Sequence, residues 1–306
     1  MNLADDQRSG ERDDARELLA ALESRVLFGG APRLGLTGAP GAGKSTLMDA
    51  LVRAHRARGE TVGIVAVDPS SRRSGGALLG DRVRVRSAAS DPGVFFRSLA
   101  ARESLGGLAD AARAAATIMA AVFDVVIVET VGVGQSEGDV VDLVDTLVFV
   151  AQPAAGDTVQ FLKAGVLELP DVFAVNKADL GALAERTARE LESALALGEK
   201  PDAKWSPVVV LVSARDGSGI DALEAAIARH RAHLAESGVL AAKRRRGRDA
   251  WLRESLARRY GSYGLAAFGG SAALSARLAA APETSGFALE RELASELERA
   301  LRGERA

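Results

Sequence analysis

The sequence contains no cysteine and is poor in histidine and in aromatic residues. The lack of thiols excludes disulfide bonds and thiolate metal sites, and the three histidines, His55, His230 and His233, argue against a histidine metal cluster. A formal net charge of −2 leaves no overall field that would recruit nucleic acid or acidic lipids. The chain also lacks a signal-peptide core and an uncharged apolar run long enough to span a bilayer. We therefore expect a cytoplasmic protein that does not bind membranes or nucleic acid.

Short apolar runs rich in valine, isoleucine and leucine are what the sequence has in abundance. Such continuous runs are typical of strands buried on both faces of a parallel sheet. The predicted strands cover 33–37, 61–67, 123–128, 145–150, 172–175 and 208–212. The 306 residues accommodate one large α/β domain with extensions or two small domains. We predict an α/β fold with a mostly parallel central sheet flanked by helices, divided into a helical extension (1–30), a nucleotide-binding domain (31–232) and a helical arm (233–306).

The stretch Gly38-Ala39-Pro40-Gly41-Ala42-Gly43-Lys44-Ser45-Thr46 follows the first predicted strand and precedes a helical pattern over 45–52. It matches the phosphate-binding pattern of a glycine, four residues and Gly-Lys-Ser. Glycines are needed there because backbone N–H groups must approach phosphate oxygens at the start of a helix. We expect Lys44 to reach the β- and γ-phosphates of a nucleotide and the Ser45 hydroxyl to ligate Mg²⁺.

Two acidic residues end predicted strands close to this loop. Asp68 either supports a magnesium-bound or attacking water, or caps the turn before Pro69. Glu129 follows four apolar residues, which is the Walker B arrangement, and Gly132 can offer its N–H to a γ-phosphate. Val133 stands where Ras-like enzymes carry the glutamine that positions water, so we expect slow hydrolysis without a partner.

The tetrapeptide Asn176-Lys177-Ala178-Asp179 follows a later strand and is the guanine-reading motif of GTPases. Its aspartate would accept hydrogen bonds from the ring N1–H and the exocyclic amine, and its lysine would pack over the base. Ser213-Ala214-Arg215 comes one strand later, in the place of the loop that closes over the base edge.

Both ends of the chain have helical patterns outside these motifs. Residues 11–27 predict an amphipathic helix, and Trp251, Leu252, Leu256 and Tyr260 form an apolar stripe in the carboxyl-terminal part. These arms either form contacts with a partner, most simply in a homodimer, or fold back on their own domain. The basic run 243–248 is typical of a solvated helix face, with RNA binding as the alternative.

Together the stretches 38–46, 67–81, 129–137 and 176–179 resemble the methylmalonyl-CoA mutase-associated GTPases, a family also labelled as lysine/arginine/ornithine transport ATPases or kinases. The resemblance extends over about 31–230. It implies a homodimeric chaperone GTPase that uses GTP and Mg²⁺ to gate delivery of adenosylcobalamin to an acyl-CoA mutase and to protect that mutase.

The resemblance also implies roles for individual residues. Lys44 would bind phosphate, Asn176, Lys177 and Asp179 would read guanine, and the loop 152–160 would respond to the mutase. The residues that look like direct or water-mediated Mg²⁺ ligands are Ser45, Asp68, Asp81 and Glu129. This chain departs from the family pattern at Ala154, where a glycine is usual, and at Glu103. Which mutase is served stays open.

Three other functions are compatible with parts of the sequence. The older family label suggests an ATP-dependent kinase or transport ATPase, against which the guanine motif at 176–179 argues. A nickel metallochaperone is opposed by the lack of cysteine and the few histidines. An RNA-binding GTPase would depend on the run 243–248 alone.

Overall fold

The computed structural model describes residues 9–68, 91–100, 105–130, 141–153, 169–197 and 205–303. Two predicted site residues, Asp81 and Gly132, lie outside these ranges, as do Glu103, Ala154 and most of the loop 152–160. For Asp68 the backbone is described but the side chain is not.

The described strands form one seven-stranded parallel sheet in the order β3-β2-β4-β1-β5-β6-β7. This arrangement confirms the predicted fold class. The strands are β1 (Arg33–Thr37), β2 (Val62–Asp68), β3 (Val94–Ala100), β4 (Val125–Thr130), β5 (Thr146–Ala151), β6 (Val172–Val175) and β7 (Val208–Leu211).

Eight α-helices and a 3₁₀ turn, Ala178–Leu180, are described around the sheet. No helix in the described ranges is both long enough and apolar enough to cross a membrane. The helices are α1 (Ser9–Gly29), α2 (Lys44–Ala57), α3 (Leu105–Val122), α4 (Ala182–Leu197), α5 (Ile220–Glu236), α6 (Val239–Ala267), α7 (Gly270–Ala280) and α8 (Gly286–Leu301).

The sheet is buried on both faces, which explains why its central strands have continuous apolar sequences. Helices α2 and α5 cover one face, where Leu47 and Leu223 pack against Ile127 and Val148. Helices α1 and α3 cover part of the opposite face, and α4 covers the part over β5 and β6. A further layer, α6 to α8, packs outside α1 and α3.

The structure corrects the strand predictions mainly at β3 and β4, while the bounds of β2, β5 and β7 shift by one residue. Strand β3, which contains Val94-Phe95-Phe96-Arg97, is absent from the strands that apolar runs predict. It forms the edge of the described sheet, where Phe95 is 41% exposed, so it lacks the continuous apolar run of a central strand. Strand β4 begins at Val125 rather than 123 and ends at Thr130 rather than 128, so it includes Glu129.

The helical extensions fold back on their own domain. Leu19 of α1 and Ala114 of α3 share an apolar cluster with Trp251 and Leu252 of α6 and with Phe287 of α8. The predicted stripe of Trp251, Leu252, Leu256 and Tyr260 thus faces this cluster. Of the two arrangements that the sequence left open, the described residues show this one, and the predicted domain boundaries stay a prediction.

The basic run 243–248 lies mainly inside the protein, so the prediction of a solvated helix face is wrong for Lys243, Arg244 and Arg248. Arg244 makes a bidentate ion pair with Asp145 at 2.6 and 2.8 Å, and both side chains are 4% exposed. Lys243 lies 3.0 Å from Asp171. Burial would raise the pKa of Asp145, but the Arg244 guanidinium beside it holds that pKa below its usual value.

Two further buried charges stabilise the ends of α7 and α8. Arg248 donates to the carbonyls of Ala281 and Thr284, just beyond the end of α7. Glu23 accepts from the Ser285 hydroxyl at 2.8 Å and the Phe287 N–H at 3.2 Å, at the start of α8. Positive charge at a helix carboxyl end and negative charge at an amino end both match the helix dipole.

A buried histidine lies under the opposite end of the sheet from the phosphate loop. The His230 Nδ1 atom lies 2.9 Å from the Thr146 hydroxyl, and Nε2 lies 3.3 Å from Asp171. Burial lowers the pKa of His230 to about 4, partly opposed by the nearby Asp171 carboxylate. The ring is therefore neutral at neutral pH.

We predict that Arg244→Met lowers the free energy of unfolding by about 3–5 kcal/mol, because it leaves the Asp145 carboxylate buried without its ion-pair partner. Arg246→Met is a matched control in the same basic run, since Arg246 is exposed, and should change stability by less than about 0.5 kcal/mol. Urea denaturation of both variants measures the difference. Equal losses in the two variants would contradict a structural role specific to Arg244.

We also predict a pH effect from His230. Its folded-state pKa lies below its unfolded value of 6.5, so the unfolded chain binds more protons in between and acidification favours unfolding. Between pH 6.5 and 4.5 this linkage should cost about 2 kcal/mol of stability. His230→Gln should flatten the curve in that window, as measured by thermal unfolding at a series of pH values. An unchanged slope would disprove this assignment.

Candidate functional site

The loop between β1 and α2 has a backbone that only glycine fits at two points. Gly38 has φ 139°, and a Cβ built there would lie 2.3 Å from the carbonyl oxygen of Val150. Gly43 has φ 90°, and its Cβ would lie 2.4 Å from Nδ2 of Asn176. One contact is with β5 and the other with the residue that follows β6, so the predicted phosphate loop lies against the carboxyl ends of the strands.

Lys44 is the first residue of α2 and is buried. Its ammonium donates to the carbonyls of Gly38 at 2.7 Å and Ala39 at 3.1 Å, so the side chain curls back under the loop. The positive charge and the amino end of α2 lie together at this point, which favours binding of an anion.

Ser45 and Glu129 meet beside this loop. The Ser45 hydroxyl donates to Oε1 of Glu129 at 2.8 Å, and Glu129 is buried near the end of β4. A hydroxyl and a carboxylate are hard oxygen ligands of the kind that Mg²⁺ prefers. The oxygen atoms at this position therefore fit the predicted magnesium ion.

The side chain of Asn176 connects three parts of the site. Its Nδ2 donates to the carbonyl of Ala42 at 2.8 Å, and its Oδ1 accepts from the N–H of Ala214 at 3.1 Å. Asn176 itself follows β6 and is buried. One amide thus holds the phosphate loop and the loop after β7 at fixed positions.

Lys177 has the only positive φ, 61°, among the described residues other than glycine. Its ammonium donates to the carbonyl of Gly41 at 2.9 Å and to Oε1 of Gln152 at 2.7 Å. Lys177 is also one of the residues that line an adjacent cavity.

Asp179 lines the same cavity. Its Oδ1 accepts from the Ser213 hydroxyl at 3.1 Å, and its Oδ2 lies 3.9 Å from the Arg215 guanidinium. The cavity has a volume of about 260 Å³ and is lined by Gly43, Thr46, Asn176, Lys177, Asp179, Leu180, Ala214 and Arg215.

The structure brings together most of the residues predicted from the sequence: the loop 38–46, Glu129, the motif 176–179 and the loop 213–215. Their roles in binding a nucleotide stay predictions, as do those of Asp68, Asp81 and Gly132. The sequence analysis places Gln152 in the loop 152–160 but gives no sign of its contact with Lys177. Only the order of strands in the sheet, with β5 next to β6, indicates that these two residues are neighbours.

Comparison with known proteins supports a single family. A family model described as Methylmalonyl Co-A mutase-associated GTPase MeaB matches residues 1–261. A protein of Pyrococcus horikoshii named as a GTPase is 47% identical over 77% of this chain and 75% of its own length. The GTPase ArgK of Escherichia coli is 36% identical over 81% of this chain and 80% of its own. The mouse mitochondrial methylmalonic aciduria type A homolog is 37% identical over 72% of this chain and 54% of its own.

Solved structures share the fold. The crystal structure of an LAO/AO transport system kinase superposes with a TM-score of 0.71 at 30% identity, covering 87% of this chain and 80% of that one. HypB from Helicobacter pylori, solved with nickel, has a TM-score of 0.51 at 18% identity and covers 71% of this chain and 96% of that one. At that identity the second likeness concerns the fold alone.

We predict that Asp179→Asn weakens GTP binding by about 10- to 100-fold, because it replaces a charged acceptor of two hydrogen bonds by an amide with one acceptor oxygen. The same change should improve binding of xanthine nucleotides, whose 2-oxo group accepts from the new amide. Competition of GTP and XTP against a fluorescent guanine nucleotide measures both effects. Unaltered selectivity for GTP would show that Asp179 does not read the base.

Proposed function

This chain belongs to the methylmalonyl-CoA mutase-associated GTPase family, and from that premise we propose that it is a chaperone for an adenosylcobalamin-dependent acyl-CoA mutase. Like its relatives it is a GTPase. In the proposed cycle, GTP binding and hydrolysis gate the delivery of adenosylcobalamin to the mutase and protect the mutase from carrying a damaged cofactor. The family match over residues 1–261 is the observation that carries this proposal.

The proposed reaction is an in-line attack of water on the γ-phosphate of GTP. Lys44 binds the β- and γ-phosphates and stabilises the negative charge that develops on them in the transition state. The position of its ammonium at the carbonyls of Gly38 and Ala39, within the loop, supports this role.

We propose that Ser45 and Glu129 hold Mg²⁺, with Asp68 and Asp81 as further direct or water-mediated ligands. When bound, the ion neutralises phosphate charge. The hydrogen bond of 2.8 Å between the Ser45 hydroxyl and Glu129 supports this assignment, because two oxygen donors reach the same point beside the phosphate loop.

Base selection is proposed to depend on Asn176, Lys177 and Asp179. Asp179 accepts from guanine, Lys177 packs over the ring, and the backbone of Ser213, Ala214 and Arg215 closes the edge of the cavity. The cavity between these residues and the phosphate loop supports this arrangement. Adenine lacks the pair of donors that Asp179 would bind, so GTP is preferred over ATP.

The mutase as partner is supported by the family description and by the name of the mouse relative. A homodimer is part of the proposal, because the resemblance to this family implies one. A second candidate function, an ATP-dependent kinase linked to amino-acid transport, is favoured by the structural similarity to the LAO/AO transport system kinase. ATP that competed with a fluorescent guanine nucleotide as strongly as GTP would favour this second function.

The chaperone function can be tested by affinity capture from extracts of the cells that make the protein. We expect the purified chain to retain a cobalamin-dependent mutase subunit, in amounts that differ between GDP and a non-hydrolysable GTP analogue, as measured by mass spectrometry. Lys44→Ala is the control: it should abolish the nucleotide difference, because it removes the charge that binds phosphate. Recovery of transporter components without any mutase would contradict the proposed chaperone function. It would not contradict the assignment of the chain as a GTPase.

A further inference from the structure

We propose that Gln152 is a positioning residue for guanine-nucleotide binding. Its side-chain carbonyl holds the Lys177 ammonium at 2.7 Å, and Lys177 is one of the residues that line the cavity. This inference rests on the proposed role of Lys177 in packing over the base. It does not depend on the identity of the mutase.

The backbone of Lys177 explains why such a contact is needed. A left-handed conformation, here φ 61°, is unfavourable for a residue with a side chain, because the Cβ atom crowds the backbone carbonyl. Strained residues keep their conformation only when the surrounding structure holds them at several points. For Lys177 those points include the carbonyl of Gly41, the amide oxygen of Gln152, and the backbone bonds from Ala178 N–H to the carbonyl of Val212 and from Leu180 N–H to the carbonyl of Lys177.

Gln152 is well placed to act as a fixed support. It directly follows β5, and β5 pairs with β1 on one side and β6 on the other. The N–H of Asn176 donates to the carbonyl of Ala151 at 2.9 Å, so the backbones on either side of the contact are already joined. The side-chain bond from Gln152 to Lys177 therefore spans two adjacent strand ends in a rigid sheet.

Substitutions at position 152 can separate the effect of the hydrogen bond to Lys177 on nucleotide binding from the effect of side-chain packing. An ammonium group can only donate, so the Gln152 side chain must present its oxygen to Lys177. Leucine at position 152 would keep much of the volume and lose the acceptor. Glutamate would keep the acceptor and add a negative charge, which strengthens a hydrogen bond to an ammonium.

We predict that Gln152→Leu speeds the release of a fluorescent GDP analogue about 3- to 10-fold and raises KM for GTP by a similar factor, since one charge-assisted hydrogen bond is lost. The loss should fall on KM rather than on kcat, because the contact lies at the base site and not at the γ-phosphate. Gln152→Glu should restore release to near the wild-type rate. Wild-type release in Gln152→Leu, or release in Gln152→Glu as fast as in Gln152→Leu, would overturn the proposal.

Thr146→Val is a matched control on the same strand. Thr146 begins β5 at its other end, where its hydroxyl lies 2.9 Å from His230. The variant should lower the unfolding temperature without changing GDP release. If it speeds release as much as Gln152→Leu does, the effect is a general weakening of β5 and the proposal fails.

A double-mutant cycle with Lys177→Ala separates the two assignments. In the Lys177→Ala background, Gln152→Leu should cause no further increase in release rate, because its partner is already absent. An additive increase would show that Gln152 acts by another route. If Lys177→Ala itself leaves nucleotide binding unchanged, then the proposed base-reading role of Lys177 is wrong. If Lys177→Ala weakens nucleotide binding but Gln152→Leu leaves the release rate unchanged, only the inference about Gln152 is wrong.

Discussion

The common direction of the described strands is the constraint on which the site depends. Because all of them are parallel, β1, β4, β5, β6 and β7 deliver their following residues to one edge of the sheet. Asn176 then converts this proximity into fixed geometry, since its amide bonds the loop after β1 and the loop after β7 at the same time. Without a parallel sheet, residues far apart in the sequence, such as Gly43 and Asn176, would not line one cavity.

At the amino ends of β5 and β6, on the opposite side of the sheet from the site, ion pairs join the sheet to α6. Asp145 precedes β5 and forms an ion pair with Arg244 of α6. Asp171 precedes β6 and forms an ion pair with Lys243 of α6. Strand β5 thus has a buried ion pair at its amino end and the Gln152 contact with Lys177 at its carboxyl end. Buried ion pairs add little net stability, but each partner makes the other indispensable. The arrangement fixes where α6 lies against the sheet.

Local sequence patterns are sufficient for the central strands and for the loop 38–46, because continuous apolar runs and conformation-specific glycines leave few alternatives. They fail for β3, whose edge position exposes Phe95 and breaks the apolar run. They fail again for the run 243–248, since nothing local reveals that the distant Asp145 neutralises Arg244. The contact between Gln152 and Lys177 is missed for the same reason, because the order of the strands decides which residues are neighbours. Pairing between distant residues is what pattern reasoning cannot supply.

The contact between Glu23 and the start of α8 has a consequence for how the chain is made. Glu23 accepts a hydrogen bond from the Arg113 guanidinium at 2.8 Å. It also accepts one from the hydroxyl of Ser285, which is 262 positions later in the sequence. During synthesis, α1 and α3 can pack against the sheet long before α8 exists, and the apolar surface of Leu19 and Ala114 then stays uncovered. Exposed apolar surface of this kind makes folding intermediates prone to aggregate. We therefore expect this apolar surface to stay exposed until α6 to α8 have been synthesised and can pack against it.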